Sequence, residues 1–239
     1  MNNLTPFQMQ YYTTDTATYK TKRFLKMSKE NEIHPTAIIG NEVRLGKGNK
    51  IGAYVVIQGK TFIGNDNVFH AYCSIGNEPK NKQSFDKKSK GTYIGNNNVF
   101  REYVSIDSGC YMPTILGDNI NILISSHIGQ GSHIHDNCII GCNVIIEENN
   151  LIGNAVNIEL GSICQKNSKI GSYALICANT LISEKSNLSC FGVYSGSPSK
   201  YVKENDYQKL KWTYEMVLDI CAEFDKMVEG YDTRKLQEV

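Results

Sequence analysis

From Leu116 to Leu188, every sixth residue is aliphatic or small and apolar: Leu116, Ile122, Ile128, Ile134, Ile140, Ile146, Ile152, Ile158, Cys164, Ile170, Ile176, Ile182 and Leu188. The register holds without an insertion. A helix repeats at 3.6 residues and a half-buried strand at 2, so neither produces it. A fixed six-residue period is the signature of a parallel β-helix, in which three short strands close one triangular coil. Coils then stack at strand spacing, about 4.8 Å. Two places before the repeat position the residue is often small (Ser126, Cys138, Val144, Val156, Ser162, Ala174, Thr180), so each strand turns two side chains inward. The corners are rich in Gly and Asn, which tolerate the positive φ of a tight turn. The expected fold is an all-β solenoid, a left-handed parallel β-helix with an α-helical appendage.

An earlier run of the same kind begins at Ile33 and passes through Ile39, Leu45, Ile51, Ile57, Ile63, Phe69 and Ile75. It breaks at the polar, Lys-rich stretch 77–93, resumes at Ile94, Phe100 and Ile106, and breaks again through GCYMPT before Leu116. Insertions in a solenoid map to loops on one face, frequently the binding face. The expected organisation is an N-terminal cap over 1–32, a β-helix over 33–200 with its loop at 77–93, and a C-terminal helical region over 201–239. The helix is expected from about Lys203 to Glu229, on the stripe Leu210, Tyr214, Val217, Cys221, Phe224, Val228, docked on its own β-helix or on neighbouring copies.

Composition narrows the function. A net charge of +1 with 21% charged residues leaves no polyanion footprint, which argues against nucleic acid as a partner. No apolar run reaches the roughly 18 residues of a membrane span, and the N-terminus reads as polar with no signal-peptide core, so a cytoplasmic protein is expected. The 8 cysteines are scattered and several (Cys73, Cys138, Cys164) occupy inward repeat positions, as reduced core residues do. His34, His70, His127, His133 and His135 match no zinc-ligand spacing, so no metal site is expected.

Stacking identifies the face that carries chemistry. With the two insertions placed between faces, Ile57, Ile75, Ile106, Ile128, Ile146 and Cys164 share one face, and the residues after them form a column. That column holds Asp107, Gln130, Glu147 and Glu148, Gln165 and Lys166; Gln130, Glu148 and Lys166 stand eighteen residues apart without a gap. Both loops leave from the same face. The other two faces carry Gly, Ser, Asn or His at these positions, with no comparable run of acid, amide and base.

The repeat resembles the hexapeptide acyltransferases. The segments IHPTAIIG, the loop after CSIG, YIGNNNVFREYVSID, and GDNINILISSHIGQG followed by IIGCN resemble the UDP-N-acetylglucosamine acyltransferase branch. The resemblance implies a homotrimer with sites in the clefts between subunits, acting on a nucleotide-linked sugar and an acyl thioester. In the lipid A enzymes of this branch a general-base His follows the pattern His-Ile-Ala; here His127 and Ile128 match, and the base position is Gln130. The family's Gln-Asp-x-Lys loop reads Lys80-Asn81-Lys82-Gln83, and a further family His is Asp107.

A hydroxyl nucleophile needs its proton removed as it attacks, whereas an amine attacks with its own lone pair. The expectation is therefore N-acylation of a nucleotide-linked amino sugar for surface polysaccharide, as in related nucleotide-amino-sugar N-acyltransferases, with Gln130, Glu148, His127 and Asp107 as the catalytic group. Glu147, Asn81, Lys82 and Glu102 are expected to hold the sugar nucleotide. GSPSK resembles the Gly-x-Pro-Ala-Lys exit of CoA-dependent members, so acyl-CoA is the expected co-substrate, met by Gln165, Lys166 and Lys200. No permanently bound cofactor is expected. The alternative is a lipid A-type O-acyltransferase using acyl carrier protein and UDP-N-acetylglucosamine, with His127 as its base.

Overall fold

The computed structural model describes residues 10–11, 31–78, 89–205 and 213–236. The six-residue period becomes three parallel sheets, each built from every third strand and running the length of the molecule. Most strands are two residues long, so the hydrogen bonds that hold them are those between coils. The solenoid has about eight turns and is a left-handed β-helix.

The face expected to carry chemistry is continuous. Ile57 pairs with Ile75, Ile75 with Ile106, Ile106 with Ile128, Ile128 with Ile146, and Ile146 with Cys164. All six side chains are fully buried. The small inward positions are buried too, and the three core thiols Cys73, Cys138 and Cys164 are pushed up to about 12 by their removal from water. Every cysteine is a free thiol.

Polar groups inside the solenoid satisfy one another in ladders. Buried Asn49, Asn67 and Asn98 each use Oδ1 to accept a backbone N–H of the coil above, at 3.0, 3.0 and 2.7 Å. An unpaired amide there would cost about 1–3 kcal/mol, so the ladder keeps a polar inward position tolerable. The corners expected to hold Gly and Asn also hold Tyr: Tyr54, Tyr72 and Tyr103 all have positive φ. Their rings stack at 5.2 and 5.1 Å, contacts that offset the strain of a non-glycine corner.

The C-terminal end differs from the sequence expectation. Gly192–Ser195 turns through the Gly/Ser/Pro exit into an antiparallel strand, Lys200–Glu204, which closes one sheet edge. The helix begins only at Tyr214 and runs to Leu236. Thr213 sets its start, accepting the Met216 N–H on Oγ1 at 3.3 Å. The seam buries Val217, Phe224 and Tyr231, the last two packed with Met112 and Leu151 of the chain's own β-helix. The expected cap at 1–32 lies almost wholly outside the described residues, as do Leu210 and the centre of the 77–93 loop, with Asn81 and Lys82 in it.

Candidate functional site

A cleft of about 410 Å³ opens on the predicted face, lined by Asp107, His127, Gly129, Gln130, Ile145, Glu147, Glu148 and Lys166. The strands Ser105–Asp107 and His127–Ile128 lie side by side in its floor, with Ser105 paired to His127. That pairing fixes the imidazole. Its Nδ1 is 2.8 Å from Ser105 Oγ, and its Nε2 is 3.5 Å from Asp107 Oδ2. The ring is mostly buried, with its side chain 17% exposed, and the carboxylate is more so at 6%.

Gln130 occupies the next turn and is 4% exposed, yet its Oε1 has no hydrogen-bond partner among the described residues. Burying a carbonyl oxygen without a donor costs about 1–3 kcal/mol, an expense a ligand can cancel. One coil on, Glu147 Oε2 accepts the Lys166 N–H at 3.1 Å. The column is real: Asn149 N–H bonds Gln130 O, and Asn167 N–H bonds Glu148 O. The cleft walls thus carry three carboxylates and one buried carboxamide, with the Lys166 ammonium on the exposed rim. Such a surface suits the hydroxyl and amide N–H donors of a sugar better than a phosphate.

The remaining candidates fall elsewhere. Gln165 lies a coil beyond, its Oε1 accepting the Glu184 N–H at 3.1 Å. Lys200 is exposed in the terminal strand, away from His127. Glu102 pairs with Arg101 Nε at 3.1 Å and His70 Nδ1 at 3.4 Å and lines a separate groove, with His34, Lys50 and His70. Its carboxyl is held below the ordinary range by a backbone hydrogen bond and by Arg101. Residues that sequence reasoning missed are Ser105, Thr114 and Tyr231. Ser105 could be found by counting: it stands twenty-two residues before His127 because the GCYMPT insertion adds four to the eighteen-residue coil. Among the described residues no cluster of His, Cys, Asp and Glu could hold a metal, and no helix is long and apolar enough to cross a membrane.

No family model matches the chain. It is 34% identical over 128 residues to the acyl-[acyl-carrier-protein]–UDP-N-acetylglucosamine O-acyltransferase of Campylobacter concisus, covering 52% of this chain and 44% of that protein. It is 32% identical over 129 residues to the enzyme of the same name from Rickettsia bellii, covering 45% of each. The chain spans less than half the length of these curated relatives. Among solved structures, UDP-N-acetylglucosamine acyltransferase from Campylobacter jejuni superposes with a TM-score of 0.71 at 20% identity, over 81% of this chain and 76% of that one. The Acinetobacter baumannii structure gives 0.65 at 22%, over 88% and 91%.

These findings overturn the expectation of N-acylation from acyl-CoA. The relatives are named for O-acyl transfer from acyl carrier protein. That expectation rested on Gln130 at the position of the relatives' base; His127 and Asp107, of the same expected group, lie beside each other in the cleft with Gln130 and Glu148. The chain is a left-handed β-helix built on hexapeptide repeats, and in sequence and fold it is similar to the UDP-N-acetylglucosamine acyltransferases.

Proposed function

We propose that this chain is an O-acyltransferase, moving an acyl group from a thioester on acyl carrier protein to a hydroxyl of a nucleotide-linked sugar of the UDP-N-acetylglucosamine kind. The lipid A type of the sequence resemblance is the closest pattern. The observation that carries the reading is the Ser105–His127–Asp107 array in the cleft floor.

When Nδ1–H donates to Ser105 Oγ, His127 Nε2 carries the lone pair. The Asp107 carboxylate 3.5 Å away disfavours that tautomer at rest and favours the imidazolium once a proton arrives. A sugar hydroxyl placed there gives its proton to Nε2 as its oxygen attacks the thioester carbonyl. The C–O bond forms, the C–S bond breaks, and the imidazolium returns the proton to the departing sulfur. Asp107 stabilises the imidazolium in between, a low-dielectric ion pair that exists only after proton transfer. Gln130 cannot serve as a base at neutral pH. Its buried Oε1 instead accepts an N–H or O–H of the bound sugar, while Glu147 and Glu148 accept hydroxyls at the rim. In the 77–93 loop, Lys82 has the charge to meet the diphosphate and Asn81 an amide N–H to donate to it.

Thiol release tests this reading. Purified protein should free the carrier-protein thiol from an acyl-carrier thioester when UDP-N-acetylglucosamine is added, with acyl-CoA a poor donor. Turnover that runs on acyl-CoA and leaves the carrier thioester untouched would refute it. The assembly proposed with this activity is a homotrimer whose neighbouring faces close the clefts. Light scattering at micromolar concentration should give three times the chain mass, and a monomer would remove the shared cleft.

A further inference from the structure

The turn that carries Gln130 is held in place by its backbone. The side-chain carbonyl does not anchor it, since Oε1 is buried with no hydrogen-bond partner among the described residues. The backbone around it is bonded on several sides. Gln130 O accepts the Asn149 N–H at 2.9 Å, and Ser132 N–H reaches Gly129 O at 3.4 Å. Two further bonds come from distant parts of the chain. Gly131 N–H donates to Thr114 Oγ1 at 2.9 Å, and Gly131 O accepts the phenolic O–H of Tyr231 at 3.0 Å.

Thr114 extends the path. Its hydroxyl donates to Asp107 O at 2.8 Å. Thr114 and Tyr231 are both fully buried, so water does not compete for these bonds. One unbroken path therefore runs from the C-terminal helix, through the two peptide groups flanking Gly131 and the Thr114 hydroxyl, to the backbone of Asp107. Gly131 suits the junction. Its φ is +67°, and a Cβ there would meet Asn149 Oδ1 at 2.4 Å. Around the Tyr231 hydroxyl the ring is packed by Met112, Leu151 and Phe224 and lies edge-on to His133, with centroids 4.9 Å apart. The hydroxyl can therefore be removed while the packing stays.

We propose that Thr114 and Tyr231 are positioning residues. They hold the Gln130 turn in register with Asp107, and so make the helix part of the site's machinery rather than a lid on a hydrophobic face. Their effect on turnover rests on the function proposed above. The mechanical coupling does not.

The test pairs kinetics with hydrogen exchange. Thr114→Val keeps the shape and removes both hydrogen bonds; Thr114→Ser restores the hydroxyl; Tyr231→Phe removes only the phenolic O–H. With acyl-carrier thioester and UDP-N-acetylglucosamine, Thr114→Val should lower kcat on the order of a hundredfold, as a misplacement of about 1 Å does, with KM little changed. Its Gly131 amide should exchange faster, and Thr114→Ser should recover both. A wild-type kcat in Thr114→Val would overturn the proposal. So would equal losses in the Val and Ser variants that track a falling Tm. If the wild type transfers nothing from the carrier, the O-acyl reading fails by itself and exchange alone decides. Faster exchange at Ser108 and Gly109 in Tyr231→Phe, across the whole path, upholds the coupling; a change confined to Gly131 and Ser132 overturns it.

Discussion

Replacing His127 by Ala is expected to lower kcat with acyl-carrier thioester and UDP-N-acetylglucosamine by roughly 10²–10⁴-fold, the usual worth of a general base. Binding of the sugar nucleotide should change far less, because the imidazole works on a proton that moves only as the hydroxyl attacks. The loss should be chemical, not structural. His127 sits at the outward position of its strand while Ile128 beside it is fully buried, so the core and the coil-to-coil bonds survive the substitution. Asp107→Asn should keep the shape of the cleft and lower kcat by a smaller factor, since the neutral amide no longer stabilises the imidazolium across the 3.5 Å gap. An unchanged kcat in His127→Ala would place the base elsewhere.

The fold was almost wholly legible in the sequence, because a β-helix writes each coil in the same six-letter code. The stacking of Ile106 on Ile128 and Ile146 followed from counting alone, once the two insertions were set between faces. What escaped were features the code does not carry. Tyr54, Tyr72 and Tyr103 take the left-handed corners that glycine and asparagine were expected to fill, since ring stacking between coils compensates the strain. The helix starts at Tyr214 and not near Lys203, because Lys200–Glu204 is drawn into a strand against Gly192–Ser195.

The site was half legible. Asp107, His127, Gln130, Glu147, Glu148 and Lys166 line one cleft, as the column predicted. Their roles did not follow from the column, which records height along the face but says nothing of which neighbours a ring nitrogen meets. The 2.8 Å approach of His127 to the Ser105 hydroxyl and its 3.5 Å approach to the Asp107 carboxylate are distances that the column does not carry. Glu102 lies apart from this cleft. It lies in a motif that resembles the family, yet pairs with Arg101 and His70 at another groove of this chain. Tyr231 was out of reach for a different reason: its hydroxyl meets Gly131 O across 100 residues of sequence.

The linkage of the product tests the central claim most directly. With UDP-N-acetylglucosamine and an acyl-carrier thioester, the acylated sugar nucleotide should carry an oxygen ester. Mild alkali or alkaline hydroxylamine should release the new acyl chain quantitatively while neutral hydroxylamine, which cleaves thioesters, leaves it in place, and the product should form at least about a hundredfold more slowly in His127→Ala reactions. An ester is what a hydroxyl activated by His127 must give. A 3-amino analogue of the sugar nucleotide, acylated faster than the 3-hydroxyl substrate to an alkali-stable amide, would contradict the account.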